Sequence, residues 1–386
     1  MKSVWLHPTH LRFLILALLQ GITSASVLPI LSTHLALNLH IEPIGIGIFF
    51  AANTISGLMI SSWFAHRSDL HMSRIRIMKI AILFAAVGVT GIGHIHHYLL
   101  LIPAGMLWSG MSATIMPQLF ATARENVTDS HAVFFQSLMR AAFAFSWVVI
   151  PPVAFMLFRK VGFENMMWLT ALMFATMYLL LPADKKQSRT NHPSVNVSIK
   201  EPHIFALFVI FTIINMANSM YIVYMPLHVL NSLHLQSFAP GLLMGVAAAC
   251  EIPIMVIAGA LATRWRLLSP IKLALLAGAV FYLGLLFSHN VIMLIALQIC
   301  NAGFIGLSAG LGMSIFQTLM PGRVGMATTL LGNAYRTGSL IGAAIGGVIA
   351  QFGGYRLVFL FSGCCICAAL LLVRWADRQI RLKSAL

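Results

Sequence analysis

Apolar runs of about twenty residues, broken by short polar joints, repeat along the whole chain. A helix needs roughly 20 predominantly apolar residues to cross the hydrocarbon of a bilayer. The runs of that length predict twelve transmembrane helices, near 10–32, 44–65, 77–95, 98–122, 132–158, 165–182, 204–231, 238–262, 270–288, 291–319, 326–350 and 357–375. Several joints are only a few residues long, among them His94-Ile95-His96-His97, Ser288-His289-Asn290 and Gln351-Phe352-Gly353-Gly354-Tyr355. Ala183 to His203 is longer, carries Asp184, Lys185, Lys186, Arg189, Lys200, Pro193 and Pro202, and reads as a flexible linker. The expected organisation is therefore a six-helix bundle over 1–182, a cytoplasmic linker over 183–203 and a second six-helix bundle over 204–386.

The two bundles repeat. Gly110-Met111-Ser112-Ala113 and Phe120 recur as Gly306-Leu307-Ser308-Ala309 and Phe316, and Arg140 recurs as Arg336 at the same offset of 196. Pro29 maps onto Pro226 at 197, and the loop after helix 2 recurs at 194. Six helices lie between equivalents, so both copies run in one orientation. The repeats are parallel.

Composition agrees with a membrane bundle. The 386 residues are 59% hydrophobic and 9% charged, whereas soluble chains are roughly a quarter charged. The net charge of +15 does not indicate a nucleic-acid partner, because the basic residues are dealt out between apolar runs rather than clustered on one polar face. Apart from Arg159, Lys160 and Arg356 in odd-numbered loops, and Arg140 and Arg336 inside helices, all 24 Lys and Arg fall in the termini and even-numbered loops. The positive-inside rule then predicts cytoplasmic termini and a cytoplasmic linker in a multi-pass protein. Lys2, Arg12 and the apolar run from Leu11 to Leu31 outline a signal peptide, but that run is too long for one and predicts a retained first helix. Cys250, Cys300, Cys364, Cys365 and Cys367 all lie in apolar segments, so neither a disulfide nor a metal site is expected of them.

Ionisable side chains deep in a bilayer cost about 2.5–3.5 kcal/mol each on insertion scales and mark function. Arg140, Glu251 and Arg336 meet that condition, at roughly 12–17 Å from the cytoplasmic helix ends. Glu251 is the one acid among them. Alone it would hold a proton; beside Arg140 or Arg336 it would ionise, so it suits a proton carrier, or else a static ion pair. Uncharged polar residues gather in the same helices: Gln20 in helix 1, Gln118 in helix 4, Gln136 and Trp147 in helix 5, Asn215, Asn218 and Tyr221 in helix 7, Asn301 and Gln317 in helix 10, and Asn333 in helix 11. Amides match the paired donors and acceptors of vicinal hydroxyls, and aromatic faces stack on sugar rings. The same residues serve equally as interhelical glue, worth about 0.6 kcal/mol each. In the loop after helix 2, Asp69 and Arg74 are placed to latch one conformation through an ion pair or a helix N-terminus.

Ala65 to Arg74 is similar to the loop signature of the major facilitator superfamily, with Ala65 and Met72 where that signature has glycine. Pro117-Gln118-Leu119-Phe120-Ala121, Ala123-Arg124-Glu125, Arg140-Ala141, Trp147-Val148 and Pro151-Pro152 carry the likeness further. So do Asn218 to Ile222, Met225-Pro226-Leu227, Glu251-Ile252-Pro253, Phe316-Gln317, Leu319 to Gly322 and Ala327 to Leu330. Together these stretches resemble the bacterial sugar efflux transporter family of that superfamily. The resemblance covers most of helices 4–5 and 7–11, is weaker in helices 1–3 and is absent from the linker. It implies an all-α membrane protein with the major facilitator fold, 12 transmembrane helices in two parallel six-helix repeats, and a substrate site between the halves. It also implies a secondary transporter that exports sugars or glycosides by proton antiport and alternating access. Helices 5 and 8 are neighbours across the halves in this architecture, which favours Arg140 over Arg336 as partner of Glu251. The expected partners are a small sugar or glycoside, protons and the lipid bilayer, with no cofactor, no metal and a monomeric chain.

Two rival readings differ in what they need. A broad drug exporter would use its acid to bind cations, to which one acid among two arginines is unsuited. A membrane enzyme or receptor on the same bundle would need a catalytic constellation, and the histidines, including His94, His96 and His97, sit mostly at helix ends.

Overall fold

A bilayer interior supplies no hydrogen bonds, so each spanning segment must satisfy its own backbone, and the helix does this within one segment. In the computed structural model, which describes residues 8–70, 72–126, 129–182, 201–261, 264–320 and 323–384, the described residues form helices and short joints with no strand. In chain order the helices are α1 (Pro8–Leu37), α2 (Pro43–Leu70), α3 (Arg74–His94) and α4 (Tyr98–Glu125). A continuous helical stretch Asp129–Leu180 follows, divided at Gly162 into α5 (129–161) and α6 (163–180). Then come α7 (Pro202–Leu227), prolonged by a π-helical turn His228–Ser232, α8 (Ala239–Leu261), α9 (Ser269–Leu285) and α10 (Val291–Leu319). The last stretch, Val324–Ser384, divides at Gly354 into α11 (324–353) and α12 (355–384). Twelve helices are thus present among the described residues, the fold class expected from the sequence. The expected linker falls largely outside them, over 183–200.

The ends follow ordinary capping chemistry. Ser73 accepts from the Arg76 backbone N–H at 3.1 Å to open α3, and Asn290 accepts from Met293 at 2.9 Å to open α10. Pro202 and Pro270 stand in the first turns of α7 and α9, where a missing N–H costs nothing. α9 has 17 residues, fewer than a full span, and turn hydrogen bonds from Leu286, Phe287 and Ser288 extend it.

Two expected joints are absent as loops. The gaps predicted between helices 5 and 6 and between helices 11 and 12 each shrink to one residue, Gly162 (φ 82°, ψ 168°) and Gly354 (φ 74°, ψ 171°). Only glycine holds that backbone conformation readily, so one residue replaces a loop. Pro151 and Pro152 keep helical backbone angles, and the break in this stretch comes at Gly162.

The chain divides into two compact units, one of Met1–Ile41 with Phe49–His192, the other of Glu42–Ile48 with Pro193–Leu386. In the first, α1 packs on α5, where the Ser146 hydroxyl donates to Leu18 O at 2.9 Å; α2 packs on α4, where the Ser56 hydroxyl donates to Met106 O at 2.6 Å. The second repeats these pairings. There α7 lies on α11, with the Ser219 hydroxyl donating to Ser339 O at 3.1 Å and the Tyr224 hydroxyl to Ala343 O at 2.8 Å. α8 lies on α10, and α9 is tied to α12 by the Lys272–Asp377 ion pair. One contact fixes the correspondence. A Cβ at Gly110 would meet Ile60, and a Cβ at Gly306 would meet Ile254, which stand 196 and 194 residues apart as the sequence offsets require.

Each unit turns apolar side chains outward. Leu179, Ile292 and Phe352 are 81%, 79% and 83% exposed, a cost in water and none in lipid. The molecule is a multi-pass membrane protein.

Gly162→Ala and Gly354→Ala are each expected to destabilise by about 1–3 kcal/mol, read as a lower thermal midpoint in detergent. No atom lies within 4 Å of a Cβ built at either position, so alanine and serine should cost the same. A serine penalty well above that of alanine would show that packing, not backbone conformation, selects glycine.

Candidate functional site

Gln20 and Gln118 are buried and committed in the first unit. The Gln20 side-chain amide on α1 donates to Ser112 Oγ at 2.8 Å and Ser112 O at 3.3 Å on α4. Gln118 on α4 accepts from the Arg74 guanidinium at 3.5 Å and donates to Ser68 Oγ at 3.4 Å. Gln118 therefore ties the loop after α2 to α4, a role that its candidacy as a substrate ligand did not foresee. The side chain of Asp69, the other half of the expected latch, lies outside the described residues.

On α5, Gln136, Arg140 and Trp147 fall within a narrow arc of one face, since spacings of four and eleven residues nearly close whole turns. The Arg140 guanidinium lies 5.6 Å from the centre of the Phe120 ring on α4. A cation over an aromatic face is stabilised without an acid beside it.

The second unit holds Glu251 on α8. Within that unit no described side chain forms an ion pair or hydrogen bond with it, Arg336 on α11 included. The same unit holds a buried polar cluster. The Tyr221 hydroxyl on α7 donates to Gln298 Oε1 at 3.0 Å, and the Asn301 amide, one turn along α10, donates to the same oxygen at 3.1 Å. Gln298 Nε2 donates back to Leu294 O at 3.3 Å. Tyr221, Gln298 and Asn301 are 4%, 0% and 2% exposed. Gln298 was not among the residues singled out in the sequence, although its spacing of three from Asn301 puts the two on one helix face.

Hydrogen bonding divides the ten polar candidates. Gln20, Gln118, Tyr221 and Asn301 are bonded inside their own units, although Gln20 Oε1 and Asn301 Oδ1 are buried with no hydrogen-bond partner among the described residues. Gln136, Trp147, Asn215, Asn218, Gln317 and Asn333 are half-buried or exposed. Among the described residues, none of those six spends its polar group on a neighbour of its unit. An apolar groove between α1, α5 and α6, lined by Ile22, Ile150, Val153, Leu157, Met166 and Met173, touches none of the ten.

This geometry stands on a shared architecture. The family model "Major Facilitator Superfamily" matches residues 13–289 and 207–384. The chain belongs to that superfamily. Within it, this facilitator is 38% identical to sugar efflux transporter A of Escherichia coli K12 over 92% of both chains. It is 36% identical to sugar efflux transporter A of Dickeya chrysanthemi, again over 92% of each. Among solved structures, it superposes on a bacterial homologue of the iron transporter ferroportin in an inward-facing state with a TM-score of 0.79, at 17% identity, covering 95% of this chain and 98% of that one. At that identity the likeness is one of fold. These relatives and neighbours are transporters, so the enzyme or receptor reading gives way.

The tie between the loop and α4 has a direct test in this facilitator. Arg74→Ala and Gln118→Leu are expected to couple in a double-mutant cycle of thermal stability by roughly 0.5–1 kcal/mol, within the range for contacting residues. Strict additivity would mean the two side chains act separately.

Proposed function

We propose that this facilitator exports sugars or glycosides from the cytoplasm of a bacterium, driven by inward proton flow through alternating access. The observation that carries the reading is the combination of close kinship to sugar efflux transporters with a lone acid inside the membrane spans. Those relatives are named for sugar efflux. Glu251 supplies the chemistry a proton antiporter needs, a carboxyl group that changes charge as its surroundings change. Arg140 and Arg336 are its alternative partners, in different halves, so that helix motion makes or breaks the pair. The halves 1–182 and 204–386 are the moving bodies, joined by the 183–203 linker, with termini and linker cytoplasmic. Asp69 and Arg74 latch one of the two states. The protein works as a monomer in the inner membrane.

The six uncommitted polar residues are the better sugar ligands. A sugar hydroxyl that displaces water from an amide keeps its hydrogen bonds, whereas an amide already bonded to the protein must first break one. Gln136, Asn215, Asn218, Gln317 and Asn333 present free amides, and Trp147 presents a flat ring.

Two measurements test this. In proteoliposomes, Glu251→Gln is expected to abolish efflux driven by a pH gradient while exchange of labelled glycoside across the membrane persists. Unaltered gradient-driven efflux in that variant would sink proton coupling through Glu251, and transport of cationic drugs without any glycoside would favour the drug-exporter alternative. Asn215→Ala and Asn218→Ala should each raise the half-saturating glycoside concentration about tenfold, the equivalent of one good hydrogen bond. Gln20→Ala should lower thermal stability and leave that concentration unchanged, and the reverse ranking would return the committed residues to the binding site.

A further inference from the structure

Each unit carries a histidine in the joint between its third and fourth helices, and each histidine reaches the start of the sixth. His96 and His289 are equivalents at an offset of 193. The same offset relates Lys79 on α3 to Lys272 on α9, and both lysines hold the sixth helix of their unit. Lys79 Nζ lies 5.8 Å from the centre of the Tyr178 ring, and Lys272 pairs with Asp377. The partners of the histidines are equivalents too. Glu164 and Arg356 each stand two residues beyond the glycine of positive φ, Gly162 and Gly354, at an offset of 192. Duplication has therefore kept the contact and reversed the charge on one side of it.

The hydrogen bonds fix what each imidazole presents. His96 Nδ1 lies 2.9 Å from His94 O, and a carbonyl oxygen only accepts, so Nδ1 carries a proton. A neutral His96 then turns the lone pair of Nε2 toward Glu164 Oε1, 4.0 Å away and beyond hydrogen-bond reach. Protonation replaces that lone pair with a donor facing a carboxylate. In the second unit the Arg356 guanidinium, which can only donate, donates to His289 Nδ1 at 3.3 Å. That bond needs a bare Nδ1, and a proton there would set two cations against each other. Histidine is the side chain suited to such a change, since it alters charge between about pH 5 and 8. We propose that the two contacts are acid-responsive clasps of opposite sign: protonation tightens His96 on Glu164 in the first unit and releases His289 from Arg356 in the second. Acid on that side of the membrane thus holds one outer joint and frees the other, although the frames beneath them match.

Packing seats the joints whatever their charge. A Cβ at Gly93 would meet Met167 Cβ at 2.8 Å, and the His94 ring lies edge-on to Trp168 at 5.5 Å. In the second unit a Cβ at Gly363 would meet Leu283 at 2.8 Å. Other titratable groups share these ends. In the first unit they are His34 and His40 after α1's last turns, His94 and His97 of the joint, and Arg159 and Lys160 of α5, with Tyr98 opening α4. His34 stacks on the Phe163 ring at 3.6 Å, and His94 Nδ1 donates to Thr90 O at 2.9 Å. In the second unit they are His228, His234, Tyr355 and Glu42, which accepts from Gln351 at 3.3 Å.

That these joints lie on the outer face of the membrane rests on the export reading, but the contacts are tested in detergent, where both faces meet one pH. Double-mutant cycles of the apparent thermal midpoint are run at pH 5 and pH 8, pairing His96→Gln with Glu164→Gln and His289→Gln with Arg356→Gln. The first pair is expected to couple by about 1 °C at pH 5 and not at pH 8, the size of one exposed pair. The second is expected to couple by about the same amount at pH 8 and not at pH 5. Glu164→Arg should give the first joint the pH response of the second, and Arg356→Glu should do the reverse. Where heating precipitates a variant, hydrogen exchange of the joint amides, corrected for the intrinsic rate, reads the same coupling as about a twofold change in protection. Coupling that is absent, that ignores pH, or that has the same pH sense in both units would overturn the proposal. So would a charge swap that leaves the sense unchanged. Failure of the export reading is seen separately, in gradient-driven efflux.

Discussion

A membrane interior contains no water to hydrogen-bond, and every feature of this chain answers to that fact. Each spanning segment closes its own backbone bonds as a helix. Side chains that would be expensive on a soluble surface, such as Phe352 and Ile292, sit outside at no cost. The same constraint makes polar side chains conspicuous. A buried amide must find a partner in its own unit or keep one surface for a ligand, and the ten polar candidates separate along that line. Gln20 grips Ser112 and Gln118 grips Arg74, whereas Asn215, Asn218 and Asn333 are left with polar groups to offer.

Duplication supplied the frame. The first helix of each unit lies on its fifth, and the second on its fourth, and a hydroxyl-to-carbonyl bond spans each first–fifth pair: Ser146 of the fifth helix to Leu18 in one, Ser219 of the first helix to Ser339 in the other. Both units turn from their fifth to their sixth helix at a single glycine with positive φ. Such matching is what a parallel repeat requires, because a helix pair that packs well in one copy has the same backbone in the other.

The fold was largely legible because apolar length is a direct physical requirement. α10 was expected at 291–319 and occupies Val291–Leu319. The misses have physical causes. The last helix was expected to stop at 375 and runs to Ser384, because Asp377 and Arg378 lengthen it beyond the hydrocarbon, where an apolar count no longer sees it. The joint at 351–355 was expected as a loop, since glycines and a polar residue usually make one, but a single left-handed glycine sufficed. Less of the site was legible. An intramembrane acid declares itself by its cost, so Glu251 stood out. Gln298 did not, because an isolated amide in a helix acquires meaning only from its partner across the bundle, and Tyr221 lies 77 positions away.

Repetition and asymmetry together bear on how such a bundle couples two solutes. A perfectly symmetric pair of halves would carry an acid at Gly57 as well as at Glu251, and each half would then bear the cost of a carboxyl group inside its own spans. Glycine at the first site avoids this and packs against Ala113 and Ser109 on α4. The acid thus stands in one half alone, while the other keeps glycine at the equivalent position. A buried carboxyl group changes charge when its surroundings change, so its charge depends on how the helices around it are arranged. Coupling needs that dependence and no second acid.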